Sequence, residues 1–232
     1  MVKISIIILV KNGGAHLEEA LERVFSQKVE CEFEVVAIDS GSRDNSKEIL
    51  GRFPVRVQEI SPAAFNHGET RNLGASLAEG SYLVYLTQDA IPWDDHWLER
   101  LVEPLQEDPM VAGAFSSHRP RKDCPLMEKR QILETELTSG KMKRVNVAIG
   151  NPAYERSPYP FIWFSNTSSC IRKTVWESGL SGDSTLQRIR SGPKEFWRQD
   201  TRPFTSLTLL SSTLITTNQS GIFDGTSNMR GP

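Results

Sequence analysis

Tyr82-Leu83-Val84-Tyr85-Leu86-Thr87-Gln88-Asp89-Ala90 decides the fold. A run of apolar and aromatic residues stops at a single carboxylate; Pro92 follows, with Asp94-Asp95 behind it. A short apolar run bounded by turn residues reads as a strand buried on both faces. Open α/β sheets bind their ligands beyond the carboxyl ends of parallel strands. An Asp delivered there is a hard oxygen ligand suited to Mg2+ or Mn2+. Taken alone, the segment is more simply a strand followed by a helix-capping Asp. Three other segments shift that balance.

Working outward, strands alternate with helices. Ile4 to Val10 is a continuous β-branched run, expected as a buried strand rather than a secretory leader, since it is short and preceded by one Lys. Lys11-Asn12-Gly13-Gly14 is turn chemistry. From His16 to Phe25 the apolar residues Leu17, Ala20, Leu21, Val24 and Phe25 recur at helical spacing. Val35 to Ile38 is a second buried strand, followed by the loop Asp39-Ser40-Gly41-Ser42. Asp44-Asn45-Ser46 offers N-caps for a short helix holding Ile49 and Leu50. Val55 to Ile60 is a weaker strand, and Arg71 to Ala78 a helix stopped by Gly80. Past Asp89, Trp97, Leu98, Leu101, Val102 and Leu105 form an amphipathic helix capped by Asp94 or Asp95, and Val111 to Phe115 a fifth strand. The alternation predicts the α/β class: a Rossmann-like, mostly parallel sheet flanked by helices. Right-handed crossovers then place the loops after the strands on one rim.

That rim gathers Lys11-Asn12, Asp39-Ser40-Gly41 and Asp89. Glycine-rich turns let backbone N–H groups approach phosphate closely. Ser40-Gly41-Ser42 matches neither GxGxxG nor a Walker A loop, so dinucleotide and P-loop readings are poorly supported. Asp39 is placed to accept hydrogen bonds from a base or ribose, and equally to hold its own turn. His118, Arg119, Arg121 and Lys122 are expected as a basic loop after the fifth strand, either anion-holding or simply solvated.

Composition narrows the classes. The chain has 232 residues, 38% hydrophobic and 24% charged, with a formal net charge of -2. That is a soluble globular composition, and the charge gives no reason to expect a nucleic acid or an anionic lipid partner. No apolar run approaches the ~18 residues of a membrane span. Cys31, Cys124 and Cys170 are an odd number without metal-ligand spacing, which favours reduced thiols and a cytoplasmic location.

Four segments together carry a resemblance. Ile4 to Asn12, Ala37-Ile38-Asp39-Ser40-Gly41-Ser42-Arg43-Asp44, Phe65-Asn66-His67-Gly68-Glu69-Thr70-Arg71-Asn72-Leu73-Gly74 and Leu86-Thr87-Gln88-Asp89-Ala90 stand in the order and spacing of family 2 glycosyltransferases of the GT-A fold. Phe-Asn-His-Gly with Leu-Thr-Gln-Asp-Ala most resembles the rhamnosyltransferase-like branch. The resemblance loosens from Pro92 to Glu128 and returns at Phe164 to Arg172 and Trp176-Glu177, covering roughly three quarters of the chain. Leu9 stands where many members have Pro.

The resemblance implies an inverting, metal-dependent transfer of a sugar from a nucleoside-diphosphate donor to a glycan or lipid-linked acceptor, dTDP-rhamnose being one candidate donor. It implies that Lys11, Asn12, Ser40, Gly41, Asn66 and Gln88 line the nucleotide-sugar site. Asp39 matches the residue that contacts the base, Arg71 one near the diphosphate, and Asp89 the last carboxylate of the metal motif. Thr87 occupies that motif's first position, so one direct carboxylate ligand is expected. A lipid-linked acceptor would place the protein peripherally at the inner face of the membrane.

The family pattern breaks after Trp176-Glu177-Ser178-Gly179, where an acidic pair is expected to supply the catalytic base. Here Asp183 is the remaining candidate, closer to Trp176 than expected. The expected organisation is a glycosyltransferase domain over residues 1–180, with 1–115 the nucleotide-sugar half and 116–180 the acceptor side. Residues 181–232 form a divergent, poorly ordered tail, in which only Leu207 to Ile215 has the apolar density of a strand. A truncated protein that binds nucleotide sugar without catalysis is the alternative.

Overall fold

The computed structural model describes residues 4–109, 111–122, 124–134, 145–147, 165–179 and 207–217. Its first half is a parallel sheet of β1 (Ile4–Val10), β2 (Phe33–Asp39), β3 (Val55–Glu59) and β4 (Tyr82–Thr87), in the order β3-β2-β1-β4. Register sets Val10 opposite Asp39 and Leu9 opposite Thr87, so the three central strands end level on one rim. The helices between them are α1 (Gly14–Phe25), α2 (Ser46–Leu50) and α3 (His67–Leu77), followed by α4 (Trp97–Glu107).

Beyond β4 the sheet turns mixed. The order continues β4-β8-β6-β9-β5, with β5 (Ile91–Pro92), β6 (Val111–Pro120), β8 (Ser168–Arg172) and β9 (Leu207–Thr217), and with β7 (Val145–Val147) paired to β9. β8 runs antiparallel to both β4 and β6, while β9 runs parallel to β6. A short 3-10 helix (Pro62–Ala64) and the helices α5 (Leu126–Glu134) and α6 (Lys173–Gly179) complete the described elements.

The continuous apolar runs are buried on both faces. Ile4, Ile6, Ile8 and Val10 face a core shared with Leu17, Leu21, Ile49, Leu98, Leu101 and Leu105. Ile7, Leu83, Tyr85 and Phe115 face the other, with Ala75 and Trp176. Fully burying a side chain of this size contributes roughly 1.5–3 kcal/mol.

The structure departs from expectation in places. α3 starts at His67, four residues before the predicted Arg71, because the Asn66 side chain accepts from the N–H groups of Gly68 and Glu69. The N-cap position of α4 is His96 rather than Asp94 or Asp95; Asp94 instead accepts from the His96 N–H. β6 runs on to Pro120, so His118 and Arg119 belong to a strand and not to a basic loop. Leu207 to Ile215 does form a strand, β9. Asp183 and the rest of the tail lie outside the described residues.

Candidate active site

Three strand ends are stitched together by side chains. The Lys11 N–H donates to Gln88 Oε1 at 2.8 Å, and Gln88 Nε2 donates back to the Lys11 carbonyl at 3.0 Å. Gln88 thus continues the β1–β4 ladder one step past the last strand pair. Lys11 Nζ donates to the carbonyls of Ser40 and Gly41 at 2.7 and 2.8 Å, tying β1 to the loop after β2. Asn12 adopts a φ of 49°, a left-handed conformation that Asn tolerates. From there its N–H donates to Ser42 Oγ and its Oδ1 accepts from the Arg43 N–H. Gly41, at φ 80°, faces Pro62 so closely that an added Cβ would sit 2.9 Å from Pro62 Cγ.

Asp39 is the hub of the second loop. It is fully buried, and its carboxylate accepts from the N–H groups of Gly41 and Ser42 and from the Ser42 hydroxyl. Of its two sequence-level roles, turn holding is visible directly. Behind it, Ser46 Oγ accepts from the Gly13 N–H at 2.8 Å and donates to Asp44 Oδ1 at 2.6 Å. Burial works against the charge of Asp44, yet the hydrogen bonds from Ser46 hold its carboxyl below the usual range.

α3 brings Asn66 and Arg71 to the same end of the sheet. The Asn66 oxygen is engaged as the helix cap, and Arg71 Nη1 donates to the His67 carbonyl at 3.2 Å. Arg71 also acts electrostatically on Tyr85 of β4: burial pushes the phenol's pKa up, and the guanidinium pulls it partly back. Trp176 Nε1 donates to Asn72 Oδ1 at 3.0 Å, which joins α6 to α3.

Asp89 differs from Asp39, Asp94 and Asp95, whose carboxylates are all bonded. Asp94 is bonded to Arg100, and Asp95 pairs with Lys28 at 2.5 Å. Asp89 is half-buried immediately beyond Gln88 and has no hydrogen-bond or ion-pair partner among the described residues. Two residues earlier, Thr87 Oγ1 is buried without a partner among the described residues. No cluster of three metal-ligating side chains occurs among the described residues. One carboxylate, with diphosphate oxygens and water completing the shell, is a normal way to hold Mg2+ or Mn2+, so the residues present fit such an ion.

A second polar group forms around His118, which the sequence suggested as part of a basic loop and not as a buried strand residue. His118 is buried on β6, shares a hydrogen bond of 2.9 Å with Ser165 Oγ, and is pushed by burial to a pKa of about 4. Trp97 Nε1 donates to Ser116 Oγ and Ser168 Oγ one step deeper. The hydroxyl-rich run Ser165 to Ser169 was the available signal. Arg121 Nη2 reaches back to Glu19 of α1 at 2.6 Å, and the Arg119 guanidinium lies 5.0 Å from the centre of the Trp93 ring.

The structure therefore brings Lys11, Asn12, Asp39, Ser40, Gly41, Gln88 and Asp89 to one rim, with Asn66 and Arg71 at the adjoining start of α3. Asp183 is outside the described residues. A parallel half-sheet with this rim, widened by mixed strands, is the architecture of GT-A glycosyltransferases. Residues 1–349 of TarS from S. aureus align with a TM-score of 0.61 at 16% identity, over 94% of this chain and 60% of that one. The mannosyltransferase PcManGT of Pyrobaculum calidifontis, in complex with GDP-Man and Mn2+, aligns with a TM-score of 0.53 at 19% identity, over 79% and 48%.

Sequence comparison gives the family. The pattern of Glycosyl transferase family 2 matches residues 5–159, and the chain belongs to that family. It is similar to the O-antigen chain rhamnosyltransferase RfbN of Salmonella typhimurium, 28% identical over 183 residues, 78% of this chain and 55% of the relative. It is also similar to the O-antigen chain rhamnosyltransferase WbaN of Salmonella anatum, 32% identical over 125 residues, 53% and 39% of the two chains. The chain thus spans about half the length of these curated relatives or less.

Proposed function

We propose that the chain binds a nucleoside-diphosphate sugar along the β1–β2–β4 rim and transfers the sugar, with inversion, to a glycan or lipid-linked acceptor. The observation that carries this is Asp89: a half-buried carboxylate without a partner among the described residues, at the end of a buried strand and beside Lys11, Asn12, Asp39 and Gln88, whose side chains are bonded within the protein. A Mg2+ or Mn2+ ion held there would offset the charge that builds on the departing diphosphate. Arg71 presents a guanidinium fork suited to the same phosphates. Asp39 and Lys11 hold the Gly41–Ser42 loop in the shape that meets the nucleotide. Asp183 is the candidate base for the acceptor hydroxyl.

The rhamnosyltransferase relatives support rhamnose as the sugar, and the neighbour solved with GDP-Man and Mn2+ supports a metal. Among the described residues no helix is long and apolar enough to cross a membrane. A lipid-linked acceptor would bring the protein to the cytoplasmic face of the membrane as a peripheral partner.

A second reading, nucleotide-sugar binding without transfer, is favoured by one fact: of the acidic pair expected after Trp176-Glu177-Ser178-Gly179, Asp183 alone remains. One assay separates the two. Turnover of labelled dTDP-rhamnose, UDP-GlcNAc and GDP-mannose is followed with Mn2+ or with EDTA. Asp89→Asn should lower turnover at least about a hundredfold, equivalent to ~2.7 kcal/mol of transition-state stabilisation. Asp183→Asn should abolish transfer while sparing donor binding. Full turnover in Asp89→Asn, or indifference to EDTA, would refute the metal role; donor binding with no turnover in the parent chain would establish the second reading.

A further inference from the structure

We infer that Trp93 and Arg119 form the acceptor platform of this site, with Trp93 stacking against a sugar ring of the acceptor glycan. The inference rests on the glycosyltransferase reading above and adds the surface that receives the second substrate. Trp93 lies four residues past Asp89, so their Cα atoms are within about 14 Å of each other along the chain. It directly follows β5, whose Pro92 is opposite Ile215 of β9, while His118 of β6 is opposite the same Ile215 from the other side. The ends of β5 and β6 therefore flank β9, and Trp93 and Arg119 meet across it, the guanidinium 5.0 Å from the ring centre.

Exposure decides the matter. Trp97 and Trp176, on α4 and α6, are buried and spend their indole N–H groups on Ser116, Ser168 and Asn72. Among the described residues Trp93 has no such bond, and even with Arg119 against it the residue stays 44% exposed. Among the described residues, the other exposed large hydrophobic side chains are Val57 on β3 and Leu126, Met127 and Leu133 on α5. An indole offers a flat apolar face at little conformational cost, and a cation on one side fixes its orientation. A sugar presents the matching partner, a ring with one apolar C–H face and hydroxyls around its edge. Arg119 supplies donors in a fixed fork for those hydroxyls, or for a phosphate where the acceptor carries one.

Binding is tested on the full chain by calorimetry, with the octyl glycosides of glucose, galactose, mannose and rhamnose as acceptor probes, in dTDP, UDP or GDP with Mn2+. At least one glycoside should bind. Trp93→Ala should weaken it at least about tenfold, and Trp93→Phe should restore most of the loss. Arg119→Ala should weaken it less. Nucleoside-diphosphate affinity should stay within about twofold throughout, and an unchanged melting temperature would show that the fold is intact. The inference is overturned if no glycoside binds to a chain that binds diphosphate, if Trp93→Ala leaves glycoside affinity unchanged, or if it weakens diphosphate equally. A chain that binds no diphosphate fails one step earlier and refutes the glycosyltransferase reading itself.

Discussion

Asp39 ends β2 and Asp89 lies just beyond β4, the strands on either side of β1, yet their chemistry diverges. Asp39 is buried and accepts from two N–H groups and a hydroxyl; Asp89 is half-buried and accepts from none of the described residues. Sequence shows both as strand-end carboxylates but cannot show saturation, which depends on where the chain returns after Gly41. Asp39→Ala should therefore act through the fold, costing roughly 1–3 kcal/mol for the N–H groups it orphans, read as a lower urea midpoint. Asp89→Asn should leave that midpoint nearly unchanged. His118 carries a pH prediction. Its folded pKa of about 4 lies below the 6.5 of the exposed side chain, so the folded state resists a proton that the unfolded chain accepts. The stabilisation is present above pH ~6.5 and is lost as pH falls toward about 4, by roughly 3 kcal/mol for a shift of this size. Urea midpoints between pH 7.5 and 4.5 should fall less steeply in His118→Gln than in the parent. Equal slopes would show that His118 does not titrate in this way.

At the scale of elements, α3 shows what pattern reading reaches and what it misses. Its apolar face and its stop were legible, whereas its start was hidden because Asn66-His67-Gly68 looks like a loop. The cap made by Asn66 moves the boundary back. Gly74 is explained only by packing: a Cβ there would lie 2.4 Å from Ile7 Cγ2, so the residue permits the close approach of α3 to β1. Gly74→Ala should destabilise by about 1–3 kcal/mol, as expected for overpacking; a neutral or stabilising effect in urea unfolding would show that α3 can shift at no cost. β6 was foreseen only to Phe115 because Ser116-Ser117-His118 reads as polar loop chemistry. The strand continues because Ser116 and His118 find buried partners in Trp97, Ser168 and Ser165. Such partners are distant in sequence and leave no local period to read.

For the whole molecule, the parallel half-sheet was legible because β1, β2 and β4 carry apolar runs separated by helices, a pattern with few topological solutions. The insertion of β8 between β4 and β6 was not, since a five-residue antiparallel strand is placed by its neighbours rather than by its own sequence. The gathering of Lys11, Asp39 and Asp89 on one rim was legible from the strand ends, but the sequence could not reveal that Lys11 and Gln88 bond to backbone groups while Asp89 has no partner among the described residues. The central claim is that this rim holds a nucleoside diphosphate through a metal on Asp89. Titration calorimetry of dTDP, UDP and GDP, each with Mn2+ and with EDTA, tests it on the parent chain and on Asp89→Asn. At least one nucleotide should bind with Mn2+, and either EDTA or the substitution should weaken it at least about tenfold. No binding by any nucleotide, or binding indifferent to both changes, would contradict the account.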